Sequence, residues 1–132
     1  MSAFAEAAAA CLGTRFHWQG RQPGTGLDCG GLILAAAEGA GIAVDAPADY
    51  GRREGSRALL RIVREHMDRV APSELDEGDV VLFEGRKRIH AGVCVSRERF
   101  VHAWEDVGRV VESRLVSWLP FVHSAWRLRG GA

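Results

Sequence analysis

The sequence has no excess of charge of either sign. Lysine and arginine together number 17, aspartate and glutamate together also number 17, and the formal net charge at pH 7 is +0. A chain without a net field has no general attraction for nucleic acid or anionic lipid. We therefore expect no nucleic-acid partner.

Cysteine is also scarce. The three cysteines, Cys11, Cys29 and Cys94, are an odd number, and their spacing matches no zinc-binding pattern. A disulfide framework is therefore not expected, at least one free thiol is expected, and no metal or other cofactor is predicted.

Long apolar runs are absent as well. No stretch approaches the roughly 18 apolar residues of a membrane-spanning helix, so membrane insertion is not expected. The alanine-rich residues 1–12 contain no Lys or Arg ahead of the apolar run, and Glu6 interrupts that run. Both features do not fit an export signal. No repeat, low-complexity tract or linker divides the chain, and residues 1–132 are predicted to form a single domain.

The first half of the chain has the pattern of helices and the second half that of strands. Helices are predicted at residues 2–12, 28–40 and 56–67, separated by a glycine-rich loop (13–27) and an irregular stretch (42–54). Short β-branched or aromatic segments follow at residues 80–83, 89–95, 100–104, 107–112 and 124–128. This order predicts an α+β fold with an antiparallel meander.

Asp28 and Cys29 stand where the glycine-rich loop gives way to a helical pattern. Asp28 is a strong N-cap residue, because its carboxylate can accept unpaired N–H groups of a first helical turn. Cys29 then falls on the first helical position, where the helix dipole favours a thiolate, the nucleophilic form of cysteine. The pattern indicates a catalytic cysteine; a small buried apolar cysteine is the alternative.

His90 and His102 fall in two predicted strands that a turn at residues 96–99 joins. Their spacing fits neighbouring antiparallel strands with both rings on one face, so that one imidazole orients the other. A structural role for each histidine is the alternative.

The sequence resembles the NlpC/P60 family of cell-wall cysteine peptidases. The resemblance lies in five segments that occur in the family's order: LGTRFHWQG (12–20), GLDCGGL (26–32), LDEGDVVLF (75–83), HAGV (90–93) and FVHA (100–103). It implies a papain-like α+β fold in which the helix that begins at the cysteine packs against an antiparallel sheet. It also implies hydrolysis of an amide bond in peptidoglycan stem peptides, often between D-glutamate and diaminopimelate.

The resemblance also implies roles for individual residues. Cys29 is the expected nucleophile, His90 the general base, and His102 the third member that orients His90. The backbone N–H of Cys29 is expected to donate to the developing oxyanion. Two neighbours of the cysteine, Asp28 and Gly31, are expected to support the site structurally. Asp79 is expected to do the same by fixing the turn into its strand.

The loop before the cysteine departs from the family pattern. Residues 16–19 (Phe16, His17, Trp18 and Gln19) are expected to line the substrate groove, but Phe16 stands where the family usually has tyrosine. Gly30 likewise replaces a usual serine. Losing one oxyanion donor costs about 2.7–4 kcal/mol of transition-state stabilisation. Either activity is lowered, or a neighbour such as His17 or Gln19 substitutes.

The run GRQPGTGLDC (20–29) resembles a branch of the family encoded by bacteriophages and phage-derived gene transfer particles. This resemblance implies that the protein travels in a virion tail or tail-like particle, has tail proteins as partners, and opens the wall from the periplasm. An enzyme in the cytoplasm that acts on wall fragments is the alternative.

Two other function classes stay open from the sequence. The chain could be a binding or structural tail module that kept the fold and lost the chemistry. It could also catalyse acyl transfer or act on a different amide. Phe16 and Gly30 favour the first of these, whereas the presence of Cys29, His90 and His102 favours an enzyme.

Overall fold

Three α-helices and a six-stranded antiparallel sheet form the fold of the part of the chain that the structure describes. The computed structural model describes residues 1–44 and 55–129, so most of the irregular stretch predicted at residues 42–54 lies outside the described residues. The helices are α1 (Ala3–Ala9), α2 (Cys29–Gly39) and α3 (Gly55–His66). They precede all six strands of the sheet, which confirms the predicted α+β class.

The sheet has the strand order β3-β8-β4-β5-β6-β7. Its strands are β3 (Met67–Val70), β4 (Val80–Glu84), β5 (Ile89–Cys94), β6 (Arg99–Trp104), β7 (Arg109–Arg114) and β8 (Val122–Leu128). The predicted meander accounts for β4 to β7. The last strand departs from it, because β8 returns to the middle of the sheet and pairs with both β3 and β4.

Two helices end earlier than the sequence pattern indicates. The helix predicted at residues 2–12 ends at Ala9; Gly13 then takes a positive φ of 87° and donates to the Val110 carbonyl at 2.9 Å, which carries the chain to the sheet. The helix predicted at residues 56–67 ends at His66, and Met67 opens β3 instead. Met67 is buried, and a buried apolar residue fits the end of the helix as well as the start of a strand. The apolar pattern therefore does not distinguish the two.

The predicted loop at residues 13–27 contains a small antiparallel hairpin. Its strands are β1 (Arg21–Gln22) and β2 (Gly26–Leu27), and Leu27 also bridges to Phe16. The hairpin delivers the chain to the start of α2.

Apolar residues pack on both faces of the sheet. On one face, α2 buries Leu32 and Ile33 completely or nearly so, and each such burial stabilises the fold by about 1.5–3 kcal/mol. On the other face, Phe83 and Phe100 pack with Leu115 from a short 3₁₀ helix, Leu115–Ser117. The sheet is therefore covered on both sides, and its functional groups gather at one end.

Asp79 fixes the entry into β4. Its buried carboxylate accepts two hydrogen bonds from the Arg127 guanidinium, at 2.9 Å each, and one from the Asp76 N–H at 2.9 Å. The preceding Gly78 has a positive φ of 88°. These contacts match the structural role expected of Asp79.

Candidate active site

Asp28 joins the loop before α2 to the first turn of that helix. One carboxylate oxygen, Oδ1, accepts from the Gly31 N–H at 2.7 Å, as an N-cap residue does. The other, Oδ2, accepts from the N–H of Gln19 at 2.8 Å. The N-cap prediction is confirmed, and the same side chain also holds the loop beside Cys29.

Gly31 lies where the loop backbone approaches α2 most closely. A Cβ atom at this position would collide with the carbonyl oxygen of Gly20. That same oxygen accepts from the Asp28 N–H at 3.2 Å. A side chain at residue 31 would therefore push the loop away from the start of the helix.

Cys29 opens onto a cleft of about 520 Å³ at the end of the sheet. Its side chain is half-buried, and Sγ lies 4.0 Å from the carbonyl oxygen of Ile89 in β5. The next residue along β5, His90, lines the same cleft. The fold thus brings together the cysteine and the first of the two predicted histidines.

The charge state of Cys29 differs from the sequence-based expectation. Burial, with a smaller contribution from the Asp28 charge, raises the pKa of the Cys29 thiol to about 12. Hydrogen bonding from the backbone N–H groups of Ala91, Gly30 and Cys29 lowers the pKa but is outweighed. The N–H groups at the helix start therefore favour the thiolate, as predicted, but burial outweighs them, and the thiol is neutral at pH 7 in the unliganded protein.

His90 and His102 lie on adjacent strands and contact each other directly, as predicted. His90 Nε2 is 2.7 Å from His102 Nδ1, and His102 Nε2 is 2.8 Å from Ser113 Oγ on β7. His102 is fully buried, whereas His90 is half-buried at the cleft. The three side chains form a hydrogen-bonded row that leads from the cleft into the sheet.

Both imidazoles are held neutral. Burial lowers the pKa of His90 to about 4, with the Asp106 charge acting in the opposite direction. Burial and the neighbouring His90 charge lower the pKa of His102 to about 3. At neutral pH, His90 can therefore accept a proton at a free ring nitrogen.

Aromatic side chains produce this burial. Trp118 lies with its ring centroid 5.8 Å from that of His90 and 5.0 Å from that of His102. The ring centroids of Phe100 and Trp104 lie 4.5 and 5.4 Å from that of His102. The enclosure shields the His102 ring from solvent and restricts the planes of both rings.

The residues predicted to line the groove divide into two pairs. Phe16 and Trp18 line the cleft, with their rings edge to face at 5.1 Å. His17 and Gln19 are exposed, and neither is among the residues that line the cleft. His17 Nδ1 lies 2.9 Å from the Trp18 carbonyl oxygen, and Gln19 takes a positive φ of 62°.

Comparison with known proteins gives the family. The model described as "NlpC/P60 family" matches residues 13–127. The chain belongs to the NlpC/P60 family. No curated protein sequence matches it significantly.

Solved structures of NlpC/P60 proteins share the fold. An NLP/P60 family protein similar to a lipoprotein, from Staphylococcus aureus, is 20% identical with a TM-score of 0.70, over 96% of this chain and 40% of that one. The NlpC/P60 domain of the peptidoglycan hydrolase SagA is 18% identical with a TM-score of 0.65, over 93% and 94%. The peptidoglycan hydrolase RipB from Mycobacterium tuberculosis is 20% identical with a TM-score of 0.64, over 91% and 61%.

Three residues at this NlpC/P60 site were not singled out from the sequence: Arg88, Ser113 and Trp118. In the pairing of β6 with β7, His102 lies opposite Val111, and Ser113 is two residues further along β7, on the same face of the sheet. The strand register could therefore have pointed to Ser113. Trp118 follows a short 3₁₀ helix that has no periodic pattern. Arg88 lines the cleft from a charged turn between two predicted strands, where nothing in the sequence pointed to a partner.

Within residues 1–44 and 55–129, no group of three or more His, Cys, Asp or Glu side chains has the arrangement of a metal site. No helix in the same two ranges has the length and apolar character needed to cross a membrane.

Proposed function

We propose that this chain is a cysteine peptidase that hydrolyses an amide bond in peptidoglycan stem peptides. The observation that carries the proposal is one cleft lined by a cysteine at a helix start and by a histidine that a second histidine supports at 2.7 Å. Membership of the NlpC/P60 family supports it, as does the likeness of fold to two proteins named peptidoglycan hydrolases.

One arrangement of protons in the row of hydrogen bonds gives the tautomer that the reaction needs. If His90 Nε2–H donates to His102 Nδ1, and His102 Nε2–H donates to Ser113 Oγ, then His90 Nδ1 keeps its lone pair. That lone pair is the one available to a thiol in the cleft. His102 and Ser113 are positioning residues in this scheme, since neither receives the transferred proton.

The acylation step then proceeds with Cys29 as nucleophile. His90 Nδ1 takes the thiol proton as Sγ attacks the carbonyl carbon, and the carbonyl electron pair moves onto oxygen. The Cys29 backbone N–H donates to this oxyanion. Collapse of the intermediate breaks the C–N bond, His90 gives its proton to the leaving amine, and a thioester remains on Cys29.

Hydrolysis of the thioester completes the cycle. His90 removes a proton from water as the water oxygen attacks the thioester carbon, and the released thiolate regains the proton. Because both Cys29 and His90 are neutral in the free protein, proton transfer accompanies attack on the bound substrate in each half of the reaction.

The scissile bond that we propose is the one between D-glutamate and diaminopimelate, on the basis of the family resemblance. The cleft has apolar walls from Phe16 and Trp18 and charged rims, which suits a peptide with carboxylate side groups. Digestion of stem peptides with lysine in place of diaminopimelate tests the preference.

We also propose delivery in a phage tail or tail-like particle, with tail proteins as partners and the periplasm as site of action. The run at residues 20–29 supports this by resemblance. Particles purified from producing cells should contain the protein at a fixed ratio to tail proteins; its presence in the cytoplasm alone would favour the intracellular alternative.

A catalytically weakened binding module is the second candidate. Phe16 favours it, because this cleft-lining side chain carries no hydroxyl to donate to an oxyanion. Such a module would bind purified peptidoglycan without releasing fragments.

Mass spectrometry of defined muropeptides tests the proposed function. We expect the wild-type protein to release the products of one amide cleavage, and the Cys29→Ala and His90→Ala variants to release none. Binding without cleavage by the wild-type protein would favour the module. Transfer of the substrate's acyl group to an added amine would favour acyl transfer.

A further inference from the structure

A turn between β4 and β5 places three successive basic residues, Arg86, Lys87 and Arg88, along one rim of the cleft. The Arg88 guanidinium carbon lies over the Trp18 ring, 4.2 Å from its centroid. This contact spans from the turn to the loop before α2. It holds the planar guanidinium in one orientation beside the catalytic cleft.

Arg88 has unused hydrogen-bonding capacity in this position. Its Nη1 atom is buried and has no hydrogen-bond partner within residues 1–44 and 55–129. A buried donor without a partner costs free energy, and most such groups are satisfied by protein, water or ligand. The charge is not neutralised either, because the ion pairs formed among the described residues do not include Arg88.

Arg88 also lies close to the reacting groups along the chain. The next residue, Ile89, has its carbonyl oxygen 4.0 Å from Cys29 Sγ, and the residue after that is His90. A ligand group bound by Arg88 in the cleft is therefore near the position of the scissile amide.

We propose that Arg88, stacked on Trp18, binds a free carboxylate of the substrate beside the scissile bond. A carboxylate in the cleft neutralises the charge and matches the flat edge of a guanidinium whose face is already covered by Trp18. Three acidic residues, Glu84, Glu105 and Asp106, also line the cleft, so its lining carries both signs of charge and Arg86, Lys87 and Arg88 supply the positive part. The inference rests on the proposed function, since it takes a stem peptide as the ligand.

Two carboxylates in such a peptide have the required chemistry: the α-carboxylate of γ-linked D-glutamate and a carboxylate of diaminopimelate. Three versions of L-Ala-γ-D-Glu-diaminopimelate distinguish them, one unmodified, one amidated on glutamate and one amidated on diaminopimelate. Amidation removes the charge and changes the shape little.

Kinetics with these three peptides tests the subsite. We expect one amidation to lower kcat/KM of the wild-type protein by about ten- to a hundredfold, the range of a charge-assisted hydrogen bond. Arg88→Ala should lose a similar factor on the unmodified peptide and should no longer respond to that amidation. Arg88→Lys should recover only part, because it keeps the charge and loses the planar fork.

Arg97→Ala is the matched control, since Arg97 is 80% exposed and pairs with Asp76 outside the cleft. It removes the same charge and should leave all three rates unchanged. An equal loss with Arg88→Ala on all three peptides, or an equal response of wild type and Arg88→Ala to each amidation, would overturn the subsite.

A binding experiment separates this proposal from the proposed function. Calorimetric titration of Cys29→Ala, and of Cys29→Ala combined with Arg88→Ala, with the same peptides needs no turnover. One outcome is that the unmodified peptide binds more tightly than an amidated one only when Arg88 is present, while wild type cleaves neither. That result supports the subsite and contradicts the peptidase. Binding that is indifferent to amidation contradicts the subsite even if wild type cleaves.

Discussion

Phe16→Tyr tests how complete the oxyanion site is. The Phe16 side chain is half-buried and lines the cleft together with Cys29, and its edge-to-face contact with Trp18 at 5.1 Å fixes the ring. A hydroxyl on this ring adds a hydrogen-bond donor to a cleft wall that otherwise offers the Cys29 N–H. The variant therefore restores the group that the family usually has there.

The expected gain follows from the energetics of oxyanion donors. Loss of an established donor costs about 2.7–4 kcal/mol, equivalent to a factor of roughly 10² to 10³ in kcat. Because packing against Trp18 holds the Phe16 ring, the added hydroxyl has little freedom to move toward the oxyanion, and we expect part of that value, about 1.4 kcal/mol or tenfold in kcat. KM should change less, because the new hydrogen bond forms mainly in the transition state.

Steady-state kinetics on one defined stem peptide measures the effect. His17→Ala is the companion variant: His17 is exposed and does not line the cleft, so we expect little change in kcat. A fall in kcat for His17→Ala with no gain for Phe16→Tyr would show that His17 already supplies the second donor. No change in either variant would refute the idea that this loop supplies it.

Three other outcomes follow from the packing and the charges. Iodoacetamide should label the cleft-exposed Cys29 before the two buried cysteines, Cys11 and Cys94; equal rates would contradict a reactive Cys29. Arg127→Ala should lower the free energy of unfolding in urea by about 2–3 kcal/mol, because it leaves the buried Asp79 carboxylate without its cation. This is below the 3–5 kcal/mol typical of buried pairs, since Arg127 is about half exposed, and a loss within experimental error would contradict the assigned role. Stability should be full above pH 6.5, where unfolded histidine is neutral. It should fall as the pH drops from about 6.5 towards about 4 for His90 and about 3 for His102, because the unfolded chain takes up protons that the two folded histidines resist, and these histidines should add no further loss below those values. His102→Gln should weaken that dependence, and an identical pH profile for both proteins would contradict it.

The parts of the site that depend on local structure could be predicted from the sequence. Helix capping involves residues three apart, so Asp28 and the start of α2 were evident. A short turn fixes the pairing of β5 with β6, so the contact of His90 with His102 followed from their spacing.

The parts that depend on distant residues could not. β3 pairs with β8 near the end of the chain, and its first residue, Met67, also fits the apolar face of the preceding helix. The pKa of Cys29 depends on how deeply the assembled fold buries the thiol, and this burial outweighs the helix start that the sequence displays. The stacking of Arg88 on Trp18 joins two loops that only the tertiary fold brings together.

Trapping of the acyl-enzyme is the most direct test of the central claim. Wild-type protein is mixed with L-Ala-γ-D-Glu-diaminopimelate, quenched in acid at short times, and analysed by mass spectrometry of the intact protein and its fragments. We predict a thioester adduct of the L-Ala-γ-D-Glu acyl group on Cys29, with release of diaminopimelate and no adduct in Cys29→Ala. Turnover with no adduct, together with full activity of Cys29→Ala, would contradict the account.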